Sequence, residues 1–157
     1  MNKAAVIQKI LEVLRSELET YVRAAKFSHA EATAEENRAE NKYDTRGLEA
    51  SYLAAGQANK VAELESALES FEGLKEQPAS DVVEIGSLIE LQQDGFVEWY
   101  FVGPTAGGTE IEIDDTEVLV ITPESPLGSQ IMGLEAGAKA TLDLGGRKQK
   151  AIVCSVS

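Results

Sequence analysis

The chain has 157 residues, 43% apolar and 26% charged, which suits a soluble protein of one ordinary domain or two small ones. Its net charge of −13 repels naked phosphate backbones, so free DNA is excluded as a main target. An acidic protein can still meet nucleic acid inside a complex whose other member supplies positive charge.

Met1-Asn2-Lys3-Ala4-Ala5-Val6 lacks the apolar stretch of a signal peptide, and no apolar run approaches the ~18 residues of a membrane span. From Lys3 to about Glu36 there is no Gly and no Pro. Ile7, Leu11, Leu14, Leu18, Tyr21, Ala25 and His29 recur in steps of four and three, the seam of an amphipathic helix with coiled-coil spacing. On this reading His29 is a packed or interfacial histidine. Val6, Ile10, Val13 and Val22 widen the stripe near the base, which therefore packs against more than one neighbour. Towards residue 34 the seam thins to Ala25, Ala30, Ala32 and Ala34, which bury little area.

A second helix is predicted from about Asp44 to Lys75, with a seam of Leu53, Gln57, Val61, Leu64, Leu68 and Phe71, closed by Gly73 and Pro78. The two runs are nearly equal in length and meet near residue 40, so residues 1–77 are expected to form an antiparallel coiled-coil hairpin. Its tip falls in 35–44, Glu-Glu-Asn-Arg-Ala-Glu-Asn-Lys-Tyr-Asp, which carries no Leu, Ile, Val or Phe. Asn37, Asn41 and Asp44 are turn and N-cap formers. Glu36, Glu40 and Asp44 are oxygen donors of the kind Mg²⁺ prefers, beside the cations Arg38, Lys42 and Arg46, which can contact phosphates.

Gln77 to Asp81 reads as a short linker to a second domain, 78–157. There the pattern turns strand-like over 82–91, 96–102, 117–122, 139–144 and 149–156, with Gly145-Gly146 as a hairpin turn. Gly103 to Gly108 lacks the Lys-Ser/Thr of a phosphate loop and is expected to be a hairpin connection. The alternating Glu110 to Glu117 reads as a solvated strand edge, with a cation or basic-partner site as the weaker alternative. Ser125 is an N-cap candidate, Pro126 suits a first helical turn and Gly133 a C′ position, which predicts one short helix. Cys154, among Ala151, Ile152 and Val153, is expected to be a buried strand residue. A lone cysteine without an internal disulfide fits a cytoplasmic protein. The fold class is therefore α+β. Residues 78–157 hold 13 acids against 4 bases, and residues 1–77 hold 14 against 10, so the acidity sits in the second half.

Hairpin, linker and sheet domain with Ser125-Pro126-Leu127-Gly128 and Ile131-Met132-Gly133 resemble the bacterial Gre transcript-cleavage factors, GreA and GreB. Ala39-Glu40-Asn41-Lys42-Tyr43 is similar to their Ser-Glu-Asn-x-x-Tyr tip segment, with one spacing residue fewer before Tyr43. The resemblance implies a transcription elongation factor with an FKBP-like second domain that docks at the rim of the RNA polymerase secondary channel. Ser125, Pro126, Leu127 and Gly128 would take part in docking. The hairpin would enter the channel, where Arg38, Asn41, Lys42, Tyr43 and Arg46 meet the partner and backtracked RNA. Tip acids would help hold a catalytic Mg²⁺ shared with the polymerase, which itself hydrolyses the RNA. The chain would be a monomeric factor with no cofactor of its own, not an enzyme.

By position the family's Glu falls on Glu40 and its Asp on Asn37, with Glu36 or Asp44 as substitutes if the loop is re-registered. An amide oxygen carries no charge and binds a hard cation more weakly. The alternative is a regulator that occupies the channel without promoting cleavage. Two further alternatives come from other classes. A prolyl isomerase needs a deep apolar pocket with aromatic walls, and a coiled-coil adaptor needs a second outward apolar stripe along both arms.

Overall fold

The structure is a computed structural model that describes residues 1–33 and 46–157. Helix α1 spans Lys3–Thr33 and α2 spans Arg46–Gly73, forming the expected helical hairpin, and a 3-10 turn at Leu74–Glu76 follows. The Asn2 side-chain oxygen accepts from the N–H groups of Ala4 (2.9 Å) and Ala5 (3.3 Å), two donors that the first helical turn would otherwise leave unpaired. The apolar seam of α1 keeps a strict seven-residue period, so the position after Ala25 is Ser28, only 3% exposed. His29 is exposed, which corrects its expected place in the seam. On α2 the seam likewise runs through Ala54, Gln57, Val61, Leu64, Leu68 and Phe71, and Leu53 is 53% exposed instead of packed.

Beyond the helices lies a six-stranded sheet: β1 (Leu88–Gln93), β2 (Phe96–Val102), β3 (Glu110–Ile113), β4 (Thr116–Ile121), β5 (Lys139–Leu144) and β6 (Arg147–Val156), in the order β3-β4-β2-β1-β6-β5. Helix α3 (Gly128–Ile131) separates β4 from β5. Three pairs are joined by two-residue turns with positive φ at both positions: Asp94-Gly95, Asp114-Asp115 and Gly145-Gly146. This is the left-handed turn that matches the twist of paired strands, and small or Asx residues adopt it at least cost.

The sheet corrects two expectations. The run 82–91 is not one strand. Gly86 turns at φ +92 and a Cβ there would lie 1.9 Å from Gln77 Oε1, so only Leu88 onwards enters the sheet. Val82 instead bridges Glu135, and the Val83 N–H donates to the Leu134 carbonyl at 2.8 Å. Nor is the loop 103–108 a hairpin connection. β2 and β3 do not pair. β4 lies between them, parallel to β2 and antiparallel to β3.

Alternation along the strands gives the sheet two buried faces. One carries Ile89, Leu91, Tyr100, Val102, Ile121, Leu142, Ala151 and Val153 beneath Leu127 and Ile131 of the α3 segment. On the other, Phe101 meets Phe71 of α2 with ring centroids 6.0 Å apart and planes tilted by 31°. A Cβ on Gly103 would lie 2.8 Å from the Phe71 ring and 2.9 Å from Val120, so glycine permits that close approach. The chain forms two compact units: Met1–Leu11 with Glu69–Ser157, and Glu12–Leu68. The helix bases, including fully buried Val6, Ile7 and Ile10, thus belong with the sheet.

Candidate docking surface

The segment from Thr122 to Ile131 is built as a rigid turn. Ser125 Oγ donates to the Thr122 carbonyl at 2.8 Å and accepts from the Gly128 N–H at 3.0 Å, while the Ser125 carbonyl accepts from the Ser129 N–H at 2.9 Å. Ser125 therefore acts as an N-cap side chain, one turn ahead of the regular helix. Gly128 is required by packing, since a Cβ there would lie 1.9 Å from the Thr122 carbonyl oxygen. Leu127 and Ile131 anchor the turn in the core, and Pro126 is left exposed. At the far end Gly133 takes φ +78, as expected for a helix C′ position.

Sequence reasoning missed Gln130. Its amide accepts from the Asp143 N–H at 2.7 Å and donates to the Asp143 carbonyl at 2.9 Å, pairing with edge strand β5 as a backbone would. The same nitrogen lies 2.6 Å from the Pro126 carbonyl. Gln130 thus splints the Pro126 turn to the sheet. The spacing from Gln130 to Asp143 gave no sequence signal, because the contact depends on where β5 lies.

Beside this turn is an open apolar groove of about 440 Å³, lined among others by Pro126, Leu127, Leu144, Tyr100, Leu119 and Ile121. Tyr100 is its one aromatic wall, unlike the aromatic-walled pocket that the isomerase reading requires. The Tyr100 hydroxyl donates to Glu98 at 2.8 Å and accepts from Gln93 Nε2 at 3.2 Å, and Gln93 Nε2 also donates to Glu98 at 2.9 Å. Burial, reinforced by the Glu98 carboxylate, pushes the Tyr100 hydroxyl up to about 12, so it stays a donor at neutral pH.

The groove continues past Tyr100 and Leu119 into a second concavity of about 570 Å³. Glu98, Glu110, Glu112, Asp115 and Glu117 line it, and no Lys or Arg does. The expectation of a solvated strand edge holds: β3 is an edge strand, and Glu110 and Glu112 are exposed. Cys154 is exposed, not buried, because Ala151 and Val153 of β6 face the core and Cys154 falls on the alternate side.

Of the sequence-derived site residues, Ser125, Pro126, Leu127 and Gly128 are brought together in the capped turn. Glu36, Asn37, Arg38, Glu40, Asn41, Lys42, Tyr43 and Asp44 lie outside the described residues, as does the side chain of Arg46 at the start of α2. Among the described residues no group of His, Cys, Asp and Glu could hold a metal ion, and no helix is long and apolar enough to cross a membrane.

No protein-family model matches the sequence, and no curated protein matches it. Three solved structures align with the chain. The GreA factor homolog 1 (Gfh1) of Thermus thermophilus is 20% identical, over 98% of this chain and 94% of that one, with a TM-score of 0.39. Gfh1 of Thermus aquaticus is 21% identical, over 99% and 96%, with a TM-score of 0.40. A further structure, described as the transcription factor Gfh1, is 20% identical, over 98% and 92%, with a TM-score of 0.41.

Proposed function

We propose that this chain is a transcription factor that binds RNA polymerase through the sheet unit and reaches into the secondary channel with the helical hairpin. There it regulates by occupancy. The observation that carries the reading is the Ser125–Gly128 turn. It is capped by Ser125, splinted by Gln130 and presents Pro126 beside an apolar groove, in a chain whose other half is a long helical hairpin. A preorganised turn loses little entropy on docking, which is what a recognition segment needs.

Occupancy is favoured over metal donation by the donor set. A Gre-type tip holds Mg²⁺ with two acids, and here one of the two positions is Asn37, a neutral amide. Of those two positions only Glu40 carries an acid. The adaptor reading is disfavoured because Val6 and Ile10, part of the stripe it would use, are fully buried within their own unit.

The test is binding followed by cleavage. The full chain is expected to co-elute with core RNA polymerase and to leave stalled, backtracked transcripts uncut. Asn37→Asp is expected to raise RNA release at limiting Mg²⁺, and Glu40→Gln to remove that gain with binding retained. Strong cleavage by the unaltered chain would replace occupancy with metal donation. Failure to co-elute would remove the polymerase assignment.

A further inference from the structure

We propose that the Pro126 groove and the acidic concavity beyond it are one continuous docking surface, whose occupant is a basic, amphipathic protein segment. The proposal deepens the docking reading by naming the chemistry of the docked element. It rests on that reading only for which protein carries the element.

The two hollows share Tyr100 and Leu119 as a common floor. Register places their side chains on one face. Glu112 lies opposite Glu117 across β3 and β4, and Glu110 opposite Leu119. The parallel pairing of β2 with β4 sets Tyr100 beside Leu119, and Glu98 and Glu117, two positions before each and so on the same face, continue that alignment. A row of three carboxylates thus crosses adjacent strands spaced about 4.8 Å apart. Like charges directly opposite one another destabilise a sheet, so the arrangement works against the fold by itself and is relieved when a cation arrives.

Among the described residues that line the concavity there is no Lys or Arg. All four basic residues of 78–157, Lys139, Arg147, Lys148 and Lys150, lie on β5 and β6. From β6 the row lies two strand spacings away at Glu98 on β2, three at Glu117 on β4 and four at Glu112 on β3, roughly 10 to 19 Å. Physiological salt screens exposed charges over about 8 Å, so these cations act weakly on Glu112 and Glu117 and most strongly on Glu98. One carboxylate is also held in place: the hydrogen bonds from Tyr100 and Gln93 fix Glu98 at the boundary between apolar and acidic sectors. The complementary occupant has apolar side chains for the groove beside Pro126, Leu127 and Leu144, and Lys or Arg for Glu98, Glu112 and Glu117. A nucleic acid has the wrong charge, and a purely apolar segment leaves the row unpaired.

The test uses the isotope-labelled full chain and two synthetic helical peptides, one of Leu and Lys and its counterpart of Leu and Glu. Saturable amide shifts are expected with the Lys peptide only, confined to 97–100, 107–122, 125–127 and 144. Glu112→Lys with Glu117→Lys is expected to weaken that binding about tenfold, whereas the same charge change at exposed Glu63 and Glu65 of α2 weakens it less than about twofold. Glu117→Gln, a milder change, gives an intermediate loss. Equal loss in both double variants would reduce the effect to net-charge attraction and overturn the proposal. So would shifts spread over the whole acidic surface, equal binding of the Glu peptide, or no saturable binding. If the Lys peptide binds as described and the chain fails to co-elute with polymerase, the polymerase reading falls and the docking chemistry stands.

Discussion

The base of the helical hairpin and its outer arms use the same seven-residue period to different ends. At the base, Ile7, Ile10, Leu11, Leu14, Leu64 and Phe71 are buried. Further out, the seam is Ala25, Ser28, Ala54 and Gln57, while Phe27 (71% exposed) and Tyr52 (72%) face solvent. An open alanine-lined groove, with Ala25 on α1 and Ala54, Ala55 and Ala58 on α2, runs between the arms. Polar groups differ as well. Gln93, Tyr100 and Glu98 satisfy one another in the sheet, whereas Gln57 Oε1 on the arm is buried without a hydrogen-bond partner among the described residues. The base unit has one such atom too, Gln77 Oε1 against Gly86, although the Gln77 amide nitrogen donates to the Ile85 carbonyl at 2.8 Å. The difference teaches that helical periodicity fixes which face is covered, while residue size fixes how strongly. Burial is worth about 25 cal/mol per Å² of apolar area, and alanine has little to bury.

The largest expected effect strikes the base. Phe71→Ala removes the ring packed on Phe101 and is expected to cost about 3–5 kcal/mol in urea unfolding. A loss below about 1 kcal/mol would show that α2 is not anchored through that ring. Next, Gln57→Leu removes an unsatisfied acceptor and adds apolar area to the weak arm. It is expected to stabilise the arms by about 1–2 kcal/mol, slowing amide exchange at 21–28 and 54–61 and narrowing the gap to 6–14 and 64–71. Unchanged exchange would mean that the arms are already as well packed as the base.

The smallest effect concerns pH. Tyr100 titrates near 12 when folded and near 10 when unfolded, so its neutral form favours the folded state. That contribution is complete below pH 10 and is lost as pH rises through 10 towards 12, because the unfolded chain ionises first. Tyr100→Phe is expected to flatten this part of the stability–pH curve relative to the unaltered chain. An identical slope in both would show that neither burial nor the Glu98 carboxylate raises the hydroxyl in the folded state.

The α+β class, the helical hairpin and four of the six strands, within one or two residues, follow from the sequence. Period 3.5 and period 2 are local properties of a chain that must cover one face. The capped turn was also legible, since Ser125 Oγ reaches an N–H only three residues away. The neutral amide of Asn37 between the acids Glu36 and Glu40 is visible in the sequence alone and requires no coordinates. Tertiary structure alone decided the insertion of β4 between β2 and β3, which turned an expected hairpin loop into a crossover. It also decided the Gln130–Asp143 splint, the exposure of Cys154 and the sorting of charge to opposite edges of the sheet. The physical reason is range. Hydrogen bonds and periodicity within a turn are written in neighbouring residues, whereas strand order brings together residues whose separation in sequence carries no trace of their distance in space.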